Sequence, residues 1–346
     1  MDTNTQTTSH AQNNNMQTVI LALALLPAAM AVSRELESAF YAHSQKFGLD
    51  FATGDEFAAR LEIYAANDEL INEHNAQGNQ TYTMAHNQFS HLSFNEFVEL
   101  NNLGVRYNVP AKTGALHKAD RLNGATEVDW VSAGAVTPVK DQGSCGSCWS
   151  FSTTGALEGA IAIKNAKDAS SWTGLSEQQL VSCDTTDMGC SGGLMDTAFD
   201  WTASNGGLCS EDDYPYVSGD GEAPSCETGC SVYDDSAPAS HTDVDESEDA
   251  LMSALAQQPV SVAIEADQLA FQFYSSGVLT GRCGTNLDHG VLAVGYGTYT
   301  DGNDYWKVKN SWSSTWGMDG YLLIERGNSQ TGGQCGILMS ASYPTV

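Results

Sequence analysis

Residues 142 to 152 read QGSCGSCWSFS, which sets Cys145 and Cys148 three positions apart with glycines around the first and Trp149 directly after the second. A C-x-x-C pair can be half of a zinc site, a redox couple, or one structural thiol beside one reactive thiol. Zinc is the poorest of these readings, because no second C-x-x-C or H-x3-5-H pair follows. A reactive thiol needs a base to take its proton, a group to orient that base, and donors for an oxyanion. The chain offers one residue type for each role: Cys148 as nucleophile, His289 as base, Asn310 as orienter, and Gln142, six residues before Cys148, as amide donor. That chemistry calls for no metal and no cofactor.

The surrounding pattern says which elements would position these groups. A helix is expected to open at Ser147 or Cys148 and run to about Asn165, which puts the thiol at a helix N-terminus, where the dipole favours a thiolate. Beyond Pro259 the segments PVSVAI, HGVLAVGYGT, DYWKVKNSW and GYLLIER are rich in β-branched and aromatic residues and read as strands. His289 opens one of them and Asn310 closes another. A helical half followed by a sheet-rich half predicts an α+β chain with two subdomains and a cleft between them. Upstream, residues 33–47 and 55–76 have helical periodicity, and Glu56, Arg60, Tyr64, Asn67, Ile71 and Asn75 share one helical face. Such a polar stripe is ordinarily a solvated face. An extended stretch, QTYTMAHNQFSHLS, leads to a short helix from about Phe94 to Asn101, and residues 104–124 have the Gly, Pro and Lys content of an accessible linker.

Charge and length set the outer bounds. The 346 residues carry 14 Lys+Arg against 43 Asp+Glu, a formal net of -29. Phosphate binding needs a basic surface, so nucleic acid is excluded as a partner. The excess is uneven, net -6 over residues 1–124 and net -23 from Ala125 onward. Val19 to Ala31 is an apolar run too short to span a bilayer, ending in the small-x-small triplet Ala29-Met30-Ala31, which predicts a secretory signal. Nine cysteines in an exported chain favour disulfides, and the odd number leaves at least one thiol over.

Four blocks, QGSCGSCWSFS, GCSGGLMD, LDHGVLAVGYG and YWKVKNSWSSTWG, resemble in order the signature blocks of the papain family of cysteine proteases, and the ending CGILMSASYPTV resembles its cathepsin L branch. The stripe E56-x3-R60-x3-Y64-x2-N67-x3-I71-x3-N75 resembles the helical signature of that family's inhibitory propeptide, with Tyr64 for the usual Phe. Asn87 and Phe89 match the short motif after it, whereas Ala85 and His91 replace the usual Gly and Asp.

The resemblance implies a papain-like fold of two subdomains, a helical left half and a barrel-like right half, behind a mainly helical propeptide. Residues 1–31 would be leader and signal, 32–124 propeptide, and 125–346 the peptidase domain. Cys148 and His289 would form a thiolate–imidazolium pair, Asn310 would orient His289, Gln142 would serve the oxyanion, and Trp312 would shield the His289–Asn310 bond and, with Trp316, belong to the substrate-binding set. Gly192 and Gly193 would offer a backbone edge to substrate. Leu194, Met195, Ala263, Leu287, Gly290 and Ser340 would line the pocket for the second residue before the cut, giving an uncharged pocket that prefers bulky apolar side chains. Cys145 is implied to bridge to Cys190 and Cys283 to Cys335. Cys183 is implied to pair with Cys226 or Cys230, leaving the other for Cys209. The implied partners are protein and peptide substrates and the chain's own propeptide, for a monomer in the secretory pathway, extracellular or in a lysosome or vacuole, with no membrane association once the signal is removed. His91 at the Asp position implies an acid trigger of altered sign. A catalytically dead relative would show a substitution at Cys148, His289 or Asn310, and none is present.

Overall fold

The computed structural model describes residues 32–104, 112, 115–119, 125–281 and 283–346, so the expected signal segment lies outside the described residues. The upstream region begins with α1, Arg34–Phe47, capped by the Ser33 hydroxyl and ended by Gly48 in the left-handed region at φ 62°. The longer α2, Gly54–Ala76, starts at Thr53. It is followed by β1, Tyr82–Met84, and by α3, Phe94–Leu100, which Ser93 and Glu96 close with a capping box. A three-residue strand, β2, Ala115–His117, lies within the expected linker.

The stripe on α2 faces inward. Tyr64, Asn67 and Ile71 are buried, because the segment after β1 folds back across that face with its carbonyls pointing at the helix. Asn67 Nδ2 donates to Ser90 O and Leu92 O, both at 3.0 Å. Asn75 donates to Met84 O at 2.8 Å and accepts from Met84 N at 3.0 Å, and Arg60 reaches Glu96 of α3 at 2.7 Å. Polar side chains thus replace the backbone partners that the returning loop lacks, and the expectation of a solvated face fails for that reason.

In the second region β3, Val128–Asp129, precedes α4, Cys148–Lys164, whose residues are buried over most of its length. Then come α5, Glu177–Cys183, α6, Met195–Asn205, β4, Ser240–Val244, and α7, Glu248–Leu255. The remainder is mostly strand: β5, Val260–Ile264, the short α8, Leu269–Phe273, β6, Tyr274–Leu279, β7, His289–Thr298, β8, Asp304–Lys309, β9, Tyr321–Glu325, and β10, Ala341–Thr345. Among the described residues the sheet runs β1-β6-β9-β8-β7-β5-β10-β4-β2, with β3 pairing β7. Both ends of that path, β1 and β2, come from upstream of Ala125.

Two apolar clusters match the two expected subdomains. One gathers Trp149, Leu157, Ile161, Leu180 and Phe199 around α4. The other fills the sheet side with Val262, Val291, Trp306, Trp312 and Ile324, and it also takes in Phe89 and Phe97 from the upstream region. The disulfides are Cys145–Cys190, Cys183–Cys226, Cys209–Cys230 and Cys283–Cys335, which settles the pairing that spacing left open, and Cys148 keeps its thiol.

Replacing Asn67 with Ala removes two buried hydrogen bonds and strands the Ser90 and Leu92 carbonyls. The α2 region is expected to lose about 2–3 kcal/mol, read as a lower urea midpoint for the upstream region in a Cys148→Ala background, with the transition of residues 125–346 unmoved.

Candidate active site

Cys148 is the first residue of α4, preceded by Ser147 as N-cap. The chain arrives there through a turn whose glycine cannot be replaced: a Cβ on Gly146 would stand 2.5 Å from Cys190 O. The Cys145–Cys190 bridge fixes that turn from the other side. The two cysteines of the C-x-x-C pair therefore divide the work, one structural and one retaining its thiol.

His289 opens β7, and its Nε2 lies 2.8 Å from Asn310 Oδ1, just beyond the end of β8. The Ser311 N–H donates to the same oxygen at 2.8 Å, which turns the Asn310 side chain toward the imidazole. Trp312 stacks on the imidazole with ring centroids 4.7 Å apart and excludes water from the pair. The other imidazole nitrogen, Nδ1, is buried without a hydrogen-bond partner. Gly290, next to His289, donates its N–H to Cys148 Sγ at 3.3 Å, which sets the thiol against the start of β7, one residue from the imidazole. Burial drives the His289 pKa below the usual histidine range, while the Asn310 bond and the Asp288 charge pull it upward.

Gln142 is fully buried between these elements. Its Nε2 donates to Cys145 O at 3.0 Å and its Oε1 accepts the Ser311 hydroxyl at 2.6 Å, which leaves one amide hydrogen uncommitted. Tyr216 was not anticipated. Its hydroxyl donates to Gln142 O and meets Ser147 Oγ, both at 2.8 Å, so it braces the corner where Gln142 and the Cys148 N–H converge. Tyr216 stands in a loop about 70 residues away with no local pattern to mark it.

Gly192 adopts φ 107°, and a Cβ on Gly193 would lie 2.5 Å from the Trp149 ring. The backbone can lie against Trp149 there only because both residues are glycine. A second unanticipated residue, Asp187, accepts the Leu194 N–H at 2.8 Å and the Thr197 hydroxyl at 2.9 Å and so ties this edge to α6. Burial pushes its carboxyl up to about 7. Met195, Ala263 and Leu287 belong to one apolar cluster, with Met339 packed on it. Gly290 borders Met195, Ala263 N–H donates to Ser340 O at 3.0 Å, and Leu194 caps α6. Trp316 sits deeper, fully buried, with its edge against Trp312 and its N–H on Phe271 O.

The upstream region lies across this constellation. Phe89 and Phe97 meet Trp312 edge-on at 5.9 and 5.4 Å. Asn102 donates to Ser144 O at 3.1 Å on one wall, and Gly104 N–H donates to Asp288 Oδ2 at 2.9 Å on the other. Cys148 itself is only 3% exposed. Elsewhere Asp196, His241 and Asp243 bring potential ligand atoms within 4.8 Å of one another. Asp196 is bonded to Ser342 and His241 to Asp200, so the protein itself engages them. The cleft as built can activate a thiol, stabilise an oxyanion and seat an extended chain.

Comparisons agree with this geometry. Residues 124–345 match "Papain family cysteine protease", and residues 40–97 match "Cathepsin propeptide inhibitor domain (I29)". The chain is 41% identical to "Senescence-specific cysteine protease SAG39" of Oryza sativa subsp. japonica, over 94% of this chain and 97% of that one. Among solved structures it is similar to "Recombinant stem bromelain precursor", with TM-score 0.80, 33% identity, and coverage of 90% of this chain and 99% of that chain. It is likewise similar to "digestive procathepsin L 3 of Tenebrio molitor larval midgut", with TM-score 0.79, 36% identity, and coverage of 91% and 100%.

Proposed function

Because the chain belongs to the papain family of cysteine proteases and carries that family's inhibitory propeptide as a zymogen, we propose that it is an endopeptidase of the secretory pathway acting through Cys148 and His289. The observation that carries this reading is the pairing of His289 Nε2 with Asn310 while the neighbouring Gly290 amide rests on Cys148 Sγ. With Nε2 engaged, Nδ1 is the nitrogen that takes the thiol proton, giving a thiolate at the start of α4. The sulfur attacks the scissile carbonyl carbon, and the Cys148 N–H and the spare Gln142 amide hydrogen receive the oxyanion. His289 then returns its proton to the leaving amine, which departs and leaves an acyl-enzyme. Water, deprotonated by His289, attacks that thioester, and collapse breaks the C–S bond, the sulfur regaining its proton from His289 as the carboxylate product leaves.

Gly192 and Gly193 suit an extended substrate added as a strand, and the uncharged lining of Met195, Ala263, Leu287, Gly290 and Ser340 suits Leu, Phe or Val as the second residue before the cut. No helix among the described residues is long and apolar enough to cross a membrane. The zymogen acts as a monomer that leaves the cell or enters a lysosome or vacuole.

The acid trigger rests on more than His91. His43 of α1, His86 and His91 gather around Tyr64, with His43 6.3 Å from His91 and 6.4 Å from His86, and Tyr64 stacked on His86 at 4.1 Å. His43 Nε2, His86 Nδ1 and His91 Nδ1 are buried without hydrogen-bond partners. Lys46 and Arg60 add positive charge, while Asp68 holds His86 at 3.0 Å and Glu96 holds Arg60. Burial, then His91, His86 and Lys46, lower His43 to about 4. Burial, then Arg60, lower His91, against smaller opposing effects of Gln88 and Glu96. A histidine depressed on folding takes up its proton first in the unfolded chain. The stability it lends is therefore complete above about 6.5 and is lost as pH falls toward about 4, up to ~3 kcal/mol for His43.

Three outcomes test these readings. Cys148→Ala should abolish hydrolysis of a dipeptidyl reporter while leaving a folded precursor that does not process itself in acid. Residual activity of a tenth or more would refute the mechanism. Ser340→Glu should convert a library profile that rejects Arg at the second position before the cut into one that accepts it, by about tenfold or more. In the Cys148→Ala background, His43→Gln and His91→Gln should each move the pH midpoint of propeptide release downward by about half a unit or more. Midpoints that overlap the parent's would remove the histidines from the trigger.

A further inference from the structure

The presumed linker is paired with the sheet. Residues Ala115–His117 lie parallel to β4, Ala115 against Thr242, Leu116 against Asp243 and His117 against Val244, and Asp245 N–H donates to His117 O at 2.9 Å. The His117 imidazole is held at both nitrogens, Nδ1 3.1 Å from the Tyr343 hydroxyl and Nε2 3.0 Å from Ser253 Oγ. Its ring meets Tyr343 edge-on at 5.8 Å. Lys112 Nζ donates to Val244 O at 2.6 Å and faces Glu246 at 3.7 Å. The segment is basic, with Lys112, His117 and Lys118, and the chain after β4 is acidic, with Asp245, Glu246, Glu248 and Asp249. The contacts of the upstream chain with the walls of the cleft are made by other residues, Asn102 on Ser144 and Gly104 on Asp288.

When the upstream region is cut away, β4 keeps β10 on one side and presents a row of main-chain donors and acceptors on the other. Such an edge is a template for an added strand. We propose that the β4 edge of the mature enzyme is an exosite for an extended basic segment of a protein substrate, with a histidine of that segment seated between Tyr343 and Ser253. In the zymogen β2 occupies the exosite and keeps it closed until processing. The acidic run after β4 draws basic segments in, and the two hydroxyls select a flat side chain with polar atoms on opposite edges.

The test uses enzyme obtained by acid processing of the full chain, with Cys148 blocked by an irreversible thiol reagent so that the probe survives. A labelled peptide KTGALHK, residues 112–118, should bind saturably in fluorescence anisotropy. Tyr343→Phe and Ser253→Ala should each weaken it about fivefold, and a peptide with His replaced by Ala should be weakened at least as much. On unblocked enzyme, a protein substrate bearing KTGALHK away from its cut site should show a lower KM than one bearing a scrambled tag, while dipeptidyl reporter hydrolysis stays the same in wild type and both variants. No saturable binding, or equal binding of the scrambled peptide, would mean that β2 sits on β4 only because it is tethered, and would overturn the proposal. Elution of the processed enzyme as a dimer that the peptide does not dissociate would assign the edge to a second copy and overturn it as well. Loss of reporter activity without Cys148 titration would show that the reaction assigned above is wrong, and that outcome is separate from loss of peptide binding.

Discussion

The hydrogen bond of 2.8 Å between His289 and Asn310 has to stay dry, and the rest of the molecule is arranged around that need. Exposed to water, the Asn310 amide would find other partners and the imidazole would turn freely, so Nδ1 would no longer be held toward the thiol. Trp312 supplies the cover by stacking on the imidazole, and Trp316 supports Trp312 from beneath, at 5.1 Å and nearly perpendicular. The same indole gives Phe89 and Phe97 their landing surface. The zymogen thus seats the propeptide's aromatic rings on the same indole that roofs the His289–Asn310 pair.

A second constraint lies behind the site. Glu158 of α4 is fully buried. Burial alone would raise its pKa, yet Lys140 and Lys309 hold it below the usual carboxylate range. Lys140 also contacts Glu177 of α5 at 2.7 Å and Glu211 at 3.9 Å, and Lys309 donates to Thr137, which donates to Glu158. Burial pushes Lys309 down to about 8 and Glu211 up to about 8, so this group balances its charge only as a whole. Buried charges of this kind add little net stability, but removing one member leaves the others unpaired. The geometry explains why that is tolerated here. Glu158 is on the helix that begins at Cys148, and Lys309 is the residue before Asn310, so the network locks the two elements that must present their ends to each other.

Most of this site was legible because it is written locally. Cys148 before a helical run, His289 at the head of a strand and Asn310 at the end of another are each marked by neighbours in sequence. The fold class was legible from the change of periodicity near Pro259. What escaped notice depends on partners far apart in the chain. The α2 stripe read as solvated because nothing in residues 55–76 reveals that the carbonyls of Ser90 and Leu92 will need Asn67. Tyr216, Asp187 and the Lys140–Glu177 contact join residues in loops to residues in helices without any motif. Only His91 stood out among the histidines, through a departure from a family pattern, whereas His43 and His86 reach it only when α1 folds onto α2. The β2 strand was hidden by its own composition, since Gly, Pro and Lys around three short residues describe a linker equally well. Two disulfides resisted assignment because Cys226 and Cys230 are four residues apart, and choosing between them requires the positions of Cys183 and Cys209.

The placement of β1 and β2 at opposite ends of one sheet constrains how the propeptide leaves. The helical part is held by burial of Phe89, Leu92, Phe97 and Leu103 in the sheet-side cluster, and by β1 on β6. The β2 part is only three residues, and five residues separate Ala119 from Ala125, so a short tether raises its effective concentration near β4 above that of a free segment. In the proposed trigger acid acts on the histidines of the helical part, whereas the residues between Ala119 and Ala125 include no histidine. On that proposal, loosening the helical part would uncover Trp312 and the cleft while β2 still lay on its edge, giving an intermediate with an accessible thiol and a propeptide attached at one end. Cutting the chain before Ala125 would then remove the tether, and the freed segment would hold the β4 edge only through its own contacts, exchanging with other strands in solution. The proposed order follows from where the apolar area lies: the large buried surface would need a change in charge to release it, whereas the small one would be free to exchange once the peptide bond is broken.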